Sequence, residues 1–180
     1  MSSYKIFETH AHYDDEAFDE DRDVLLGSMD ENGIQEVVNV CASIDSLEKT
    51  KALMEKYSFV YGAFGIHPDD AELVTEEVLD KVRECCGLEK AVAVGEIGLD
   101  YYWHKEAGEH ELQKKVFRQQ MEIARELHLP FMVHSREAAA DTLDLVKDCV
   151  NEGMYGGIIH CFSYGKEMAK EYLNMGLYLG

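Results

Sequence analysis

Ala91-Val92-Ala93-Val94-Gly95-Glu96 is an apolar run that ends on a carboxylate. A short apolar run bounded by glycine has the length of a strand buried on both faces rather than of a helix. Four other runs carry similar punctuation. Phe131-Met132-Val133-His134, Ile158-Ile159-His160 and Ala63-Phe64-Gly65-Ile66-His67 each end on histidine, and Ile6-Phe7-Glu8-Thr9-His10-Ala11-His12 ends on two. In an α/β barrel the C-terminal ends of all strands meet at one rim, where active sites are built. Residues scattered along the chain would then converge on one spot.

Working outward from those runs, strands are predicted over residues 4–9, 35–41, 59–66, 91–96, 130–134 and 156–161, with a seventh starting near Leu177. Helical periodicity fills the gaps. Leu47, Thr50, Met54 and Tyr57 share one face, as do Leu112, Val116, Ile123 and Leu127, and again Ala139, Leu143, Val146 and Val150. Gly33, Gly87 and Gly153 follow helical stretches, where a left-handed cap residue is expected. Strand–helix alternation means parallel strands with right-handed crossovers. The rival architecture, an open doubly wound sheet that binds phosphate, would want a glycine-rich turn after strand 1, but Thr9-His10-Ala11-His12-Tyr13 stands there. The expected fold class is α/β, a TIM-type (β/α)8 barrel. It is incomplete here, with about six strand–helix units plus the start of strand 7, because a full barrel typically needs about 250 residues. No linker-like segment divides residues 1–180, so one domain is expected.

The chain has 180 residues, 46% of them hydrophobic, enough for one core. It contains no apolar stretch of about 18 residues that would suggest a membrane span. Met1-Ser2-Ser3-Tyr4-Lys5 runs straight into a strand-like segment without the features of a signal peptide. Five cysteines form no Cys-x-x-Cys pair, which suits a reducing compartment. A cytoplasmic location is the expectation. Cys161, beside His160, admits a nucleophile role, but free cysteine is more often buried packing, and Cys85-Cys86 reads that way too. Net charge is −19, from 36 acidic and 17 basic residues. That balance argues against a DNA-wrapping protein, but not against a nucleic-acid substrate held in a cleft where divalent cations reverse the local sign.

His10 and His12, at i and i+2 of a strand, point to the same side and can reach one cation. His134 and His160 close two other strands and can hold a second. Glu96 has two oxygens and can bridge the pair at about 3.5–4 Å. Imidazole with carboxylate suits zinc, manganese, iron or nickel more than calcium. The first cation still needs an acidic partner. Arg136, after His134, could grip a phosphate bidentately or pair with nearby acids. Asp100 could orient a ligand histidine or a water. Tyr101, Tyr102 and Trp103 could stack on a nucleobase or cover the site as a lid.

Glu8-Thr9-His10-Ala11-His12, Gly65-Ile66-His67-Pro68, Gly95-Glu96-Ile97-Gly98-Leu99-Asp100-Tyr101-Tyr102, Val133-His134-Ser135-Arg136 and His160-Cys161-Phe162-Ser163 together resemble the TatD family of metal-dependent deoxyribonucleases, in the amidohydrolase superfamily. The resemblance spans nearly the whole chain. It implies a hydrolase with two divalent cations (Mg, Mn or Zn) that cleaves phosphodiesters, in several members DNA from the 3′ end. It places metal ligands at His10, His12, Glu96, His134 and His160, and a contact to substrate phosphate at His67. Three positions depart from the pattern. Glu8 stands where Asp is common, and Phe162-Ser163-Tyr164-Gly165 replaces the commoner Phe-Ser-Gly. The family's catalytic, metal-binding Asp follows strand 8 and would lie beyond Gly180, so a C-terminally truncated form is expected. Two other functions fit the same residues: an esterase or deacylase acting on an aminoacyl-tRNA or a lactone, and an inactive barrel fragment that associates through its open edges.

Overall fold

The computed structural model describes residues 5–154 and 156–180. The segment Met1–Tyr4, including the start of the first predicted strand, lies outside the described residues. Seven strands form one sheet: β1 (Ile6–Ala11), β2 (Ile34–Val40), β3 (Val60–Phe64), β4 (Ala91–Asp100), β5 (Phe131–Arg136), β6 (Gly157–Ile159) and β7 (Tyr178–Leu179). Their order is sequential and every pairing is parallel. Helices α1 (Arg22–Gly27), α2 (Ile44–Lys56), α3 (Glu76–Cys86), α4 (Ala107–Leu127), α5 (Ala139–Asn151) and α6 (Lys166–Asn174) make the crossovers. A 3-10 segment, Pro68–Leu73, precedes α3. The sheet curls far enough for His10, on β1, to touch His160, just past β6. This is the predicted barrel architecture through its seventh strand.

Two apolar layers hold it. Outside, Phe64, Val94, Ile97, Val133 and Ile159 of the sheet pack with Leu47, Val82, Phe117, Met121, Val146 and Tyr172 of the helices. Burying each such large side chain contributes about 1.5–3 kcal/mol. Inside the curl, Val38, Val40, Ala63, Ala93 and Met132 form a smaller cluster. Neighbours along a strand, such as Val37 and Val38, are therefore both buried, which is why these strands read as continuous apolar runs. A cavity of about 580 Å3 opens on the inner face, with Phe7 and Tyr178 at the two sheet edges.

Several local expectations shift. Gly33 and Gly153 have φ of 81° and 91° as expected, but Gly87 caps α3 at φ −79°, in the right-handed region. On α4 the buried face is Gln113, Val116, Phe117, Gln120, Met121, Ile123 and Ala124, while Leu112 is exposed. The two glutamines set that phase. Gln120 accepts from Ile66 N (2.7 Å) and donates to Ile66 O (3.0 Å), completing the backbone beyond β3. Gln113 accepts from Asp100 N (3.0 Å) at the end of β4 and donates to Pro68 O (3.3 Å). On α5 the buried residues are Thr142, Leu145, Val146 and Cys149, so Ala139, Leu143 and Val150 flank that face. Among the described residues, no helix is long and apolar enough to cross a membrane.

Candidate metal centre

Two β-bulges aim the central side chains. Between the pairs Val94–Phe131 and Ile97–Val133, β4 advances three residues while β5 advances two. Between Glu8–Val37 and Ala11–Asn39, β1 does the same against β2. An extra residue re-aims a side chain that strict alternation would send elsewhere. Glu96 lies in the first bulge and His10 in the second. The loop after β1 is pinned by buried Asn39, which accepts from Tyr13 N (2.7 Å) and donates to Asp14 Oδ1 (2.8 Å) and Thr50 Oγ1 (2.7 Å).

Glu96 is 4% exposed and its two oxygens face different imidazoles. Oε2 lies 3.5 Å from His10 Nε2 and 3.6 Å from His12 Nε2, while Oε1 lies 3.2 Å from His134 Nδ1. The Nε2 atoms of His10 and His12 are 3.1 Å apart. Two groups therefore share Glu96 and have ligand atoms close enough to hold a metal: His10, His12 and Glu96, and His67, Glu96 and His134. Burial opposes the charge on Glu96, but hydrogen bonds from His10 and His134 outweigh it and hold the carboxyl far below its usual range. Among the described residues, no Lys or Arg pairs with it.

The outer nitrogens of these rings are held. His12 Nδ1 lies 2.7 Å from Val40 O, a pure acceptor, so Nδ1 carries the proton and Nε2 keeps its lone pair. His134 Nε2 lies 3.0 Å from Asp100 Oδ2. Backing of ring N–H groups by a carbonyl and a carboxylate is the usual support for metal-binding histidines. Burial opposes charge on His134, but hydrogen bonds to Glu96 and Asp100 raise its pKa above the ordinary value. Imidazole and carboxylate groups crowded within hydrogen-bonding distances, with no Lys or Arg among the described residues to offset Glu96, fit a divalent cation.

His160 and His67 exchange neighbourhoods relative to expectation. His160 follows the three-residue β6 in a turn and lies stacked on His10, ring centroids 3.4 Å apart. Burial and the neighbouring His10 lower its pKa to about 4. It still borders a cavity of about 280 Å3 together with Glu96, His134 and Arg136. His67 caps the 3-10 segment, accepting at Nδ1 from Asp69 N (3.2 Å), with its ring edge-on to His134 at 4.3 Å. Burial, then His134, lowers its pKa. Among the described residues Arg136 forms no ion pair with an acid; its guanidinium lies over Tyr102. Cys161 is exposed and the other four cysteines, including Cys85 and Cys86, are buried. Gln113 and Gln120 were not anticipated, although two polar residues seven apart amid apolar neighbours on α4 were a visible signal.

A curled parallel sheet with a buried carboxylate shared by imidazole groups at its strand ends defines a metal-dependent hydrolase of the barrel type. The chain belongs to the TatD related DNase family, whose pattern matches residues 7–180. It is 37% identical over 174 residues to the uncharacterized metal-dependent hydrolase YabD of Bacillus subtilis, covering 97% of this chain and 67% of that protein. It is 31% identical over 163 residues to the 3′-5′ ssDNA/RNA exonuclease TatD of Cronobacter sakazakii, covering 91% of this chain and 61% of the relative. The chain thus spans about two thirds of the length of these relatives. The crystal structure of YJJV, a TatD homolog from Escherichia coli, superposes with a TM-score of 0.87 at 26% identity, covering 97% of this chain and 67% of that one.

Proposed function

We propose that the chain carries the metal centre of a phosphodiesterase that removes nucleotides from the 3′ end of DNA. The observation that carries this reading is Glu96, buried and divided between the His10–His12 pair and His134. His10, His12 and Glu96 would hold one divalent cation. Glu96 and His134 would hold a second, with His160 at the same mouth. Cations in such a centre supply Lewis acidity toward a phosphoryl oxygen and acidify water. The acidic ligand that the family resemblance places after an eighth strand is not among these 180 residues.

The remaining residues bind and orient. His67, its Nδ1 engaged by Asp69, can turn Nε2 toward a phosphate oxygen. Arg136 offers a second, bidentate donor to the same chain of phosphates. The YabD and TatD relatives support both the metal dependence and the nucleic-acid substrate. Incubating the protein with Mn2+ and a 5′-labelled oligonucleotide should give a ladder that shortens from the 3′ end. Hydrolysis of an aminoacyl ester or lactone, with the oligonucleotide left intact, would reverse the assignment.

Asp100 gives a second test. Its Oδ2 backs His134, and replacing it by Asn keeps an acceptor but removes the charge. Asp100→Asn should weaken Mn2+ binding by about 10–100-fold, the usual effect of losing such a partner. Calorimetric titration measures it, and unchanged affinity would remove Asp100 from the centre.

A further inference from the structure

Beyond Asp100 the chain turns through Tyr101, Tyr102 and Trp103, and the three aromatic residues part company. Tyr101 is committed to the fold: its hydroxyl donates to Asp141 Oδ2 (2.7 Å) and its ring stacks on His110 at 3.6 Å. Tyr102 and Trp103 face outward, with Trp103 65% exposed. A lid would bury that ring against the site. Arg136 lies over Tyr102, its guanidinium carbon 3.9 Å from the ring centroid and 5.6 Å from that of Trp103. Among the described residues this guanidinium has no carboxylate partner, although the chain holds 36 acidic residues. Lys105 Nζ adds a second cation 5.2 Å from the Tyr102 centroid.

The group is fastened to the metal centre by one carboxylate. Asp100 Oδ1 accepts from Tyr102 N (2.9 Å) and Trp103 N (3.0 Å), while Oδ2 holds His134. Arg136 is also two residues beyond His134 and borders the same cavity as Glu96. A second opening beside Glu96 is lined by Asp14, Asp15, Glu16 and Asp69 together with Lys49 and His67.

Resting on the phosphodiesterase reading above, we propose that Trp103, Tyr102 and Arg136 form a subsite for an unpaired nucleobase and its phosphate. The base stacks on Trp103. Arg136, held over Tyr102, presents its N–H groups to the adjoining phosphate. A blunt duplex keeps its bases stacked on one another, so the subsite selects single strands.

Trp103 is the sole tryptophan, so its emission reports the stack directly. Titration with a single-stranded hexadeoxyadenylate carrying phosphorothioate links should quench it saturably. A six-phosphate abasic strand and a blunt hairpin should not. Tyr102→Ala and Arg136→Gln should each weaken binding by about tenfold, the scale of one lost charge-assisted hydrogen bond to the phosphate. Tyr102→Phe should keep the affinity, which separates loss of the platform from loss of fold. Equal quenching by the abasic strand, or full affinity in Tyr102→Ala, would overturn the subsite. Hydrolysis of bis(p-nitrophenyl) phosphate with Mn2+, a substrate without a base, tests the underlying reading alone. Turnover of it without quenching by the hexamer refutes the subsite and keeps the phosphodiesterase. Base-dependent quenching without that turnover supports the subsite as a binding surface and removes the phosphodiesterase.

Discussion

Replacing Glu96 by Gln should weaken divalent-metal binding by about a thousandfold while the far-ultraviolet dichroism stays that of the wild type. The amide has nearly the shape of the carboxylate, and no backbone pairing depends on the charge. What changes is electrostatic. One unit charge against another at about 4 Å contributes about 4 kcal/mol at the effective dielectric of a protein site, and each factor of ten in affinity is about 1.4 kcal/mol. Glu96 is the side chain common to both metal-binding groups, so one substitution should impair both. Metal-dependent activity should fall at least as far. The same change should lower the His134 pKa in metal-free protein, because Glu96 is among the groups that raise it. Retention of wild-type Mn2+ affinity in Glu96→Gln would place the metal elsewhere.

Gly98→Ala should be among the most damaging small substitutions in the chain. Gly98 has φ 145°, and a Cβ there would meet the His134 carbonyl oxygen at 2.0 Å, with His134 C at 2.9 Å and N at 3.1 Å. All three are backbone atoms, so no side-chain rotation relieves the clash. Gly98 pairs with His134 in the β4–β5 register, and separating those strands moves His134 away from Glu96. Overpacking of this kind costs about 1–3 kcal/mol, and a disallowed backbone region adds about 1–3 kcal/mol. Against a typical total of about 5–15 kcal/mol, thermal melting should show a fall on the order of 10 °C. Gly108→Ala, in α4 with open space around it, should leave the midpoint essentially unchanged and serves as control. Equal melting of Gly98→Ala and wild type would contradict the close approach of β4 and β5.

Much of the architecture was legible because the central strands β3, β4 and β5 are apolar on both faces and run on to a polar residue. The convergence of His10, His12, Glu96 and His134 followed from the rule that strand ends share a rim. The extension of β4 from Glu96 to Asp100 did not follow; Gly95 and Gly98 let β5 approach closely along it. Nor did the relative height of strand ends. β6 has three residues, which leaves His160 in a turn against His10, whereas His67 reaches the neighbourhood of His134. Periodicity alone placed Leu112 in the core. Hydrogen bonds from Gln113 and Gln120 to strand-end backbone decide the phase of α4 instead, and a hydrophobicity pattern does not register them. The seat of Arg136 over Tyr102, rather than on an acid among the described residues, likewise left no trace in the pattern.

Diffraction from crystals soaked in Mn2+, recorded near the manganese absorption edge, bears most directly on the role given to Glu96. Anomalous density on both sides of its carboxylate, one peak against His10 and His12 and one against His134, is the predicted result. Peaks confined to the exposed acidic residues, with none within bonding reach of Glu96, would contradict it.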